Sequence, residues 1–418
     1  MTKAKFLVVL TLMFILAAGT AHATNGYFAH GYGTFYKALA GAGVAMPFNT
    51  LAPSTNPAAM VYVGKRYDLG VSMFAPDRQY TVTGNPSGFP GTFGLAPGTV
   101  ESGSTLFAIP GFGANWMVGE NSSFGIALYG NGGMNTDYDF RTFGFEPTGV
   151  NLSQMFITPT YAVKLADNHA VGFTGILAYQ MFEGKGLQAF SPFSSDPANL
   201  TNNESASSFG GGVRIGYLGE LSPMFSLGAS WQSKVYMGKL KDYQGLFAEQ
   251  GGFDIPMTWT LGMAIKPNEA LAILFDLQRI HYSDVNSIAN PLLPNLMQSQ
   301  LGNDDGSGFG WEDTTVYKFG VHFTSHPGLT WMGGYSYQGQ PIPESEMLFN
   351  IVAPGIVEQH LTFGVSKGIG ESKAINFALM RAFRKEIDGP NTLEAPGFQT
   401  IGLAMSQWEF DISFSFGF

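Results

Sequence analysis

The chain has 418 residues and a formal net charge of −10 at pH 7, contains no cysteine, and has only 12% charged residues. The negative charge argues against nucleic acid as a partner, and the lack of cysteine excludes disulfide bonds and thiol-based catalysis. Aromatic residues make up 14% of the chain, yet no apolar run of about 18 residues follows the N-terminal segment, so no membrane-spanning helix is predicted there.

The first 23 residues have the layout of a secretory signal peptide. Lys3 and Lys5 precede an apolar run at 6–18, and Ala21-His22-Ala23 supplies small residues around a cleavage site. We therefore expect cleavage after Ala23 and export of residues 24–418.

The segment 24–64 differs from the rest of the chain. It is rich in Gly and Ala, contains Pro47, Pro53 and Pro57, and shows no sustained period of two. It is too apolar for a solvated linker and too long for a frayed terminus. The segment therefore needs other parts of the protein to pack against.

From residue 66 onward, the sequence shows the two-residue alternation of β-strands. In one segment, Ile273 and Phe275 fall on one face while Ala272 and Asp276 fall on the other. The predicted strands are 66–76, 104–117, 122–131, 151–166, 168–183, 207–220, 222–235, 253–266, 270–282, 314–326, 329–339, 357–370, 372–385 and 407–418.

The connections between these strands alternate regularly in length. Six short turns alternate with seven long loops. The long loops are 77–103, 132–150, 184–206, 236–252, 283–313, 340–356 and 386–406. Outer-membrane barrels have an even strand number, short periplasmic turns and long external loops, whereas a water-soluble sandwich has no reason to alternate them. The sequence thus predicts an all-β fold, a 14-stranded antiparallel transmembrane β-barrel over 65–418.

The final strand carries a large apolar face and a small polar one. Trp408, Phe410, Ile412, Phe414, Phe416 and Phe418 form the apolar face, which would contact lipid. Glu409 and Asp411 lie on the opposite face, towards the lumen. We expect this strand to pair with the first strand and close the barrel. Its terminal Phe resembles the signal read by the outer-membrane assembly machinery, an expected partner.

Several motifs in this order carry a family resemblance. They are Gly26-Tyr-Phe-Ala-His-Gly-Tyr-Gly33, Ala38-Leu-Ala-Gly-Ala-Gly-Val44, Asn56-Pro57-Ala58, Phe124-Gly-Ile-Ala-Leu-Tyr-Gly-Asn131, Trp311-Glu-Asp-Thr-Thr-Val-Tyr-Lys318, Gly333-Gly-Tyr-Ser-Tyr337 and Pro341-Ile-Pro343. The chain resembles the FadL family of outer-membrane transport proteins, which carry long-chain fatty acids and, in some relatives, aromatic hydrocarbons. The resemblance covers nearly all of the chain after the signal peptide.

The resemblance implies that residues 24–64 form an N-terminal plug, or hatch, inside the lumen. Its expected gate residues are Asn56, Pro57 and Ala58 with Gly41 and Gly43, although an ordinary loop turn is the alternative for the proline motif. The resemblance also implies capture of ligand among external loops, rearrangement of the hatch, and lateral release at a kinked third strand.

The stretch Gly130, Asn131, Gly132 and Gly133 suits that kink, because glycine interrupts strand pairing and favours bulges. The start of a loop is the alternative interpretation.

Candidate ligand contacts are apolar side chains of the hatch and of the external loops. They are Tyr27, Phe28, Phe35, Leu246, Phe247, Leu293, Leu296 and Met297. The alternative is that these side chains only fill the barrel or pack the loops together.

The predicted lumen-facing cations are Lys164, Arg214, Lys318 and Arg384. Arg214 and Lys318 are candidate partners for a fatty-acid carboxylate, with structural ion pairs as the alternative.

The sequence therefore predicts passive transport of hydrophobic compounds across the outer membrane of a Gram-negative bacterium, with long-chain fatty acids as the first substrate class. An aromatic-hydrocarbon channel is the alternative within transport, and a structural or adhesin barrel is the alternative from another class. Catalysis, cofactors and metals are not expected, because the histidines lack metal-ligand spacing and the glycine-rich stretches are not phosphate loops. Outer-membrane lipid and lipopolysaccharide are expected to surround the barrel.

Overall fold

The computed structural model describes residues 25–417, so the predicted signal peptide and Phe418 lie outside the described residues. Sixteen strands, β1 to β16, occur in this part of the chain. They are β1 Arg66–Thr83, β2 Gly98–Glu101, β3 Phe107–Met117, β4 Ser122–Asp137, β5 Gly149–Ala166, β6 His169–Lys185, β7 Ala206–Ser222, β8 Phe225–Gln232, β9 Tyr236–Met237, β10 Thr258–Asn268, β11 Leu271–Ile280, β12 Thr314–His326, β13 Leu329–Gln338, β14 Gln359–Ile369, β15 Lys373–Pro390 and β16 Thr400–Gly417.

All of these strands except the short β2 and β9 form one antiparallel ring, so the predicted 14-stranded barrel is confirmed. Each barrel strand pairs with its neighbours in the chain, and β16 pairs with β1 from Thr400↔Thr83 to Gly417↔Arg66. Closure satisfies the backbone hydrogen bonds that a sheet edge would leave open in lipid. The predicted closing role of the last strand is therefore confirmed.

The ring turns its apolar side chains outward and its polar side chains inward. In β16, Trp408 and Phe410 are exposed, whereas Glu409 and Asp411 are buried. Similar outward aromatic residues occur on most barrel strands, for example Phe275 on β11 and Phe363 on β14. This is the arrangement of a barrel surrounded by lipid.

Three strands next to the closing point are longer than their alternation predicts. β1 ends at Thr83, β15 at Pro390, and β16 begins at Thr400. The added residues include many polar side chains, which favour a loop interpretation, but neighbouring strands satisfy their backbone groups. A register shift between Ala382 and Lys385 interrupts the alternation of β15.

This shift corrects one prediction. Arg384 was expected in the lumen, but it lies within the shift, is exposed, and forms ion pairs with Asp77 at 3.9 Å and Glu386 at 2.7 Å. Lys164, by contrast, lies 5.1 Å from the ring centroid of Tyr62 in the hatch segment.

The helices are all short and lie in the hatch segment or in the long loops. The α-helices are Thr34–Ala38, Met60–Val63, Ala248–Gly251, Asn286–Ala289, Asn295–Gln298 and Met347–Asn350. The 3₁₀ helices are Ala52–Ser54, Pro57–Ala59, Gln188–Phe193, Pro197–Asn199, Lys241–Tyr243, Tyr282–Asp284 and Glu344–Glu346. Within residues 25–417, no helix is long and apolar enough to cross a membrane.

Two clusters of buried apolar side chains fill the interior. The first lies where the long loops meet the lumen and includes Phe182, Phe247 and Trp311. The second lies near the short turns, where Tyr36 and Met60 of the hatch segment pack against wall residues such as Leu274. We call these the loop end and the turn end of the barrel.

Candidate functional site

The described hatch segment, residues 25–64, is attached to the inner wall by carboxylates on three strands. On β16, Asp411 Oδ2 lies 3.2 Å from Lys37 Nζ, which also contacts Glu409. On β1, Asp68 accepts hydrogen bonds from Thr50 N at 2.9 Å and from Thr50 Oγ1 at 2.7 Å. The wall thus holds this part of the hatch by charged and charge-assisted bonds.

A third carboxylate binds the backbone of the hatch at one of the predicted gate glycines. Asp276 Oδ2 on β11 accepts hydrogen bonds from Gly43 N at 2.8 Å and Val44 N at 2.9 Å. Gly41 has φ of +81°, and a Cβ there would lie 1.9 Å from His30 O. Only glycine fits this turn, so Gly41 and Gly43 shape the middle of the hatch.

A belt of wall glycines lets the hatch backbone approach the barrel. A Cβ at Gly228 would lie 2.1 Å from Val44 O, and one at Gly334 would lie 2.4 Å from the carbonyl carbon of Leu39. Comparable close approaches occur at Gly113, Gly172, Gly216 and Gly364. The middle and end of the hatch, residues 38–58, therefore fit the wall with no room for larger side chains.

Asn56, Pro57 and Ala58 form a corner that rests on this belt. Asn56 Nδ2 donates to Val44 O at 2.7 Å and to Tyr217 O on β7 at 2.8 Å, and Asn56 Oδ1 accepts from Ala58 N at 3.0 Å. Pro57 begins the 3₁₀ helix Pro57–Ala59, where its fixed φ and missing donor are favourable. The motif is thus a rigid attachment between hatch and wall.

The beginning of the hatch, which we call the N-terminal arm (residues 25–33), makes a different contact. Tyr27 O accepts a hydrogen bond from Gly133 N at 2.9 Å, and Ala29 N donates to Asn131 O at 3.2 Å. Phe28 and Gly132 form an antiparallel bridge. The arm therefore pairs with β4 as a short additional strand.

The arm binds where β4 is bulged, at the stretch predicted to kink. The β4–β5 register shifts between Gly130 and Gly132, which leaves Asn131 as the extra residue. Asn131 is buried, and its Oδ1 accepts from Tyr32 Oη at 3.2 Å while its Nδ2 donates to Gln154 Oε1 at 3.2 Å. These bonds fix the bulge against the arm.

Beyond the bulge, the wall between β3 and β4 is interrupted. The β3–β4 register ends at Gly111↔Tyr129. Beyond this pair, the next backbone contact of β4 on this side is with the segment between β2 and β3, where Gly103 N donates to Asp137 O at 2.8 Å and Asp137 N donates to Ser102 Oγ at 3.0 Å. We call the interval between 104–110 and 130–136 the window.

A small cavity lies at the inner side of the window, between hatch and wall. It is lined by the arm, by Ile109, Pro110 and Gly111 of β3, and by Tyr129 and Gly130 of β4. Polar wall groups, including Asp68 and Asp411, complete it. The window therefore connects with space inside the lumen.

A second cavity lies among the long loops and is almost entirely apolar. Its lining is Phe143, Val150, Phe182, Leu187, Phe190, Leu246, Phe247, Ser287, Ser307, Gly308, Phe309, Phe349 and Val352. Both serine hydroxyls already donate to backbone carbonyls, Ser287 to Gly252 O at 2.5 Å and Ser307 to Leu292 O at 3.0 Å. The loop cavity is thus suited to an apolar ligand.

Aromatic rings connect the loop cavity to the arm. Phe247 lies 4.9 Å from Phe253, Phe253 lies 6.2 Å from Tyr27, and Tyr27 stacks on Phe28 at 5.0 Å, between ring centroids. Trp311 also contacts Tyr27, at 6.0 Å. These distances are those of interacting aromatic pairs. The rings therefore link the loop cavity to the bulged strand through the N-terminal arm.

The predicted ligand residues occupy several different places. Leu246 and Phe247 line the loop cavity, and Tyr27 and Phe28 belong to the ring series. Phe35 lies at the turn end, stacked on Phe48 at 5.9 Å. Leu296 is buried in the loops and Leu293 is half-buried beside it, whereas Met297 is exposed. The structure thus does not bring all eight together.

The two candidate carboxylate partners are both buried and both bind the hatch. Arg214 Nη1 donates to Pro53 O at 2.6 Å and to Tyr129 Oη at 3.2 Å, and its Nη2 donates to Gln232. Lys318 Nζ donates to His30 O at 3.3 Å. Their described hydrogen bonds are therefore with neutral groups.

Sequence reasoning did not select most of the cavity residues. Phe143, Phe182, Phe190 and Phe349 come from four separate stretches, and Phe190 lies 5.2 Å from Phe143 and 4.9 Å from Phe349. No local period links positions so far apart. Three of them lie in long loops and Phe182 lies on β6, so they share only the residue type, which the composition of 36 Phe makes uninformative at any one position.

One loop carboxylate lies close to the cavity wall without entering it. Burial raises the pKa of Glu346, and a hydrogen bond from Leu292 N at 2.8 Å partly offsets this effect. Glu346 O accepts a bond from Asn350 Nδ2 at 2.7 Å. Glu346 therefore stabilises the loop packing around Phe349.

In the described part of the chain, no cluster of three or more His, Cys, Asp or Glu residues could hold a metal ion.

Comparison with solved structures supports the fold. The Pseudomonas putida toluene transporter TodX is 18% identical, with a TM-score of 0.69 over 93% of this chain and 99% of that chain. The Ralstonia pickettii toluene transporter TbuX is 18% identical, with a TM-score of 0.63 over 93% and 99%. A Pseudomonas aeruginosa FadL homologue is 17% identical, with a TM-score of 0.69 over 94% and 100%. No curated protein matches the sequence.

The sequence also matches a family model. That model, described as outer membrane protein transport protein (OMPP1/FadL/TodX), matches residues 11–366, which is most of the chain. The closed barrel with its apolar exterior agrees with the outer-membrane location of this family. The resemblance seen in the motifs is thus confirmed, and the chain belongs to the OMPP1/FadL/TodX family of outer-membrane transport proteins for hydrophobic substrates.

Proposed function

We propose that this chain takes up uncharged apolar molecules through the loop cavity and releases them sideways through the window. The observation that carries the proposal is the continuous series from cavity to wall. Phe247 lines the cavity, Tyr27 belongs to the same ring series, and the arm containing Tyr27 pairs with the bulged β4 beside the window.

Capture would be driven by burial of apolar cargo surface in the loop cavity. Removing apolar surface from water contributes about 25 cal/mol per Å². A ligand that displaces Phe247 or Phe253 would move the ring of Tyr27, and with it the arm. Movement of the arm would break its two backbone bonds to β4 and clear the inner side of the window. The cargo then moves passively down its gradient.

The middle and end of the hatch would stay in place during this step. The glycine belt and the Asn56 corner leave residues 38–58 no room to shift as a unit. The rearrangement is therefore assigned to the N-terminal arm. The hatch residues Asn56, Pro57 and Ala58 act as its fixed support.

The lining of the loop cavity favours an uncharged cargo. The lining residues include no Lys or Arg, and burying a carboxylate without a partner is costly. The rings of Phe143, Phe190 and Phe349 suit a flat aromatic molecule. Structural relatives that are described as toluene transporters support the same class. We therefore place a monoaromatic hydrocarbon first.

A long-chain fatty acid is the second candidate, and Arg214 is the observation that favours it. Its guanidinium is buried, and its described hydrogen bonds all go to neutral oxygens. One of these oxygens belongs to Tyr129, which lines the cavity beside the window. A carboxylate that reached this cavity and displaced the Tyr129 hydroxyl would meet the guanidinium of Arg214 behind it.

Uptake of radiolabelled toluene and oleate by cells lacking their own transporter tests both candidates. We expect Phe190→Ala to lower toluene uptake roughly tenfold, because the cavity loses ring contacts worth about 1 kcal/mol each. Phe209→Ala is the matched control, since Phe209 is exposed on the outer wall. If cells with the intact chain accumulate neither cargo above empty-vector cells, the proposed function is wrong.

A further inference from the structure

Arg78 lies on β1 at the point where this strand changes partners. β1 pairs with β3 as far as Phe74↔Phe107 and with β2 from Gln79↔Glu101. Arg78 falls in the interval between these two ladders and is 3% exposed, so its side chain is buried on the lumen side. This places a guanidinium at the edge of the window that is nearer the loop end of the barrel.

The side chain of Arg78 connects the two borders of the window. Nη1 donates to Asn135 O on β4, and Nη2 donates to Ser104 O in the segment between β2 and β3. The backbone carbonyl of Arg78 accepts from Ser102 N at 2.9 Å, and its Cζ lies 5.7 Å from the ring centroid of Phe107. One residue thus joins three segments that share no continuous ladder.

The chemistry of this contact requires arginine. Both acceptors are neutral carbonyls, and the buried Nε has no hydrogen-bond partner in the described structure. Burying a cation among neutral groups costs free energy, so a purely structural position would be served by an uncharged side chain. The planar fork of arginine can bridge two separated acceptors, whereas a lysine ammonium is a point donor.

We infer that Arg78 is a clasp that sets the width of the window, the distance between its two borders, and through it the size of cargo that leaves. This inference rests on the proposed lateral release. Arg78 is a positioning residue: it holds Ser104 and Asn135 at a fixed separation and does not itself bind the cargo. Loss of the clasp allows the borders to separate between the Gly103–Asp137 hydrogen bond and the last ladder pair, Gly111↔Tyr129, because no β3–β4 ladder holds them in this interval.

The first test measures the distance between the borders without any cargo. The chain has no cysteine, so spin labels at two exposed positions, Thr105→Cys on one border and Asp139→Cys just beyond the other, report one distance. We expect Arg78→Met to lengthen and broaden this distance and Arg78→Lys to produce a smaller change. Arg381→Met is the control, since Arg381 packs over Trp408 at 4.9 Å, away from the window. Superimposable distances in Arg78→Met, Arg78→Lys and the parent would overturn the inference.

The second test compares two cargoes of different width. We expect Arg78→Met to raise the uptake of phenanthrene relative to toluene several-fold, because a wider window admits the broader molecule. A loss of folded protein would lower both rates in parallel, and an unchanged ratio in correctly folded protein contradicts the inference. If the parent chain transports neither cargo, the proposed function fails, while the spin-label distances still decide whether Arg78 is the clasp.

Discussion

Two junctions between wall strands, which we call seams, differ in how far their backbone hydrogen bonding extends. The closing seam joins β1 and β16 along their full lengths, from Arg66↔Gly417 to Thr83↔Thr400. The β3–β4 seam stops at Gly111↔Tyr129 and leaves the rest of β4 without a partner from β3. In lipid, unpaired backbone groups are expensive, so an interrupted seam needs another source of hydrogen bonds.

The hatch supplies those bonds at the β3–β4 seam. Gly133 N donates to Tyr27 O, and Asn131 O accepts from Ala29 N. At the closing seam the hatch instead binds wall side chains, through Thr50 to Asp68 and Lys37 to Asp411, and the strand ladder is complete without it. The comparison teaches that the arm completes the backbone hydrogen bonding of the wall at the β3–β4 seam. Moving the arm therefore removes backbone hydrogen bonds from the wall at that seam, whereas its contact with β12 is made by the Lys318 side chain.

The largest effect on uptake is expected from removing the β4 bulge, which distinguishes the β3–β4 seam from the closing seam. Deleting Asn131 restores an unbroken alternation in β4, so that β4 can pair with β3 beyond Gly111. We expect toluene uptake to fall by at least about tenfold, with heat-modifiable mobility of the barrel retained. Deleting Gly88 from an external loop is the control. Uptake at the parental rate would show that the bulge is not needed for release.

A smaller change separates the arm from β4 while leaving the bulge. A Cβ at Gly132 would lie 2.1 Å from Tyr27 O, so Gly132→Val forces the arm away. Losing two backbone bonds, each worth about 1 kcal/mol, should speed exchange of the amides that donate them, Ala29 N–H and Gly133 N–H, by tenfold or more. Gly111→Val is the matched control, because nothing lies within 4 Å of a Cβ there. Equal exchange in both variants would contradict the pairing of arm and wall.

The corner at the other end of the hatch should matter less for the β3–β4 seam. Pro57→Ala frees the backbone at the start of its 3₁₀ helix and weakens the packing of this helix against Gly172 and Gly216. We expect uptake to fall a few-fold, while heat-modifiable barrel mobility stays intact. Pro47→Ala, at a half-buried position, is the control. Normal uptake by correctly folded Pro57→Ala would show that the rigid corner at Asn56, Pro57 and Ala58 is not needed for transport.

The smallest effect is expected on the outside of the closing seam. Leu69 pairs with Phe414 and faces outward, so Leu69→Ala removes an apolar side chain from lipid and creates no cavity in the lumen. We expect the free energy of unfolding to fall by about 1 kcal/mol and uptake to stay at the parental level. A clear loss of uptake would mean that the closing seam also takes part in transport.

Sequence reasoning predicted the wall well because lipid imposes a rule on every strand. All fourteen predicted barrel strands are present, since alternation such as Phe410 and Asp411 on β16 follows from apolar outside and polar inside. The prediction failed at Arg384 because Phe383 and Arg384 together oppose a single residue of β16, and this extra residue breaks the alternation at that point.

The site was harder to predict because its parts meet only in three dimensions. The glycine stretch around Asn131 showed where β4 is irregular, but not that Tyr27 supplies its hydrogen bonds. Arg78 had no distinguishing pattern, because its role depends on two carbonyls 26 and 57 residues away. Most rings of the loop cavity come from loops that carry no period, and Phe182 on β6 has no sequence signal that it faces this cavity.

Reversible bridging of the two seams tests the central claim most directly. Pro110 and Gly130 are the next facing positions after the last β3–β4 pair, and Val71 and Ile412 face each other at the closing seam. Each pair is replaced by cysteines in this cysteine-free chain and bridged with a short, reducible bis-thiosulfonate reagent. We predict that bridging Pro110→Cys to Gly130→Cys abolishes toluene uptake and that reduction restores it, while bridging Val71→Cys to Ile412→Cys changes nothing. Undiminished uptake through a barrel whose β3–β4 bridge is verified by mass spectrometry would contradict release through the window.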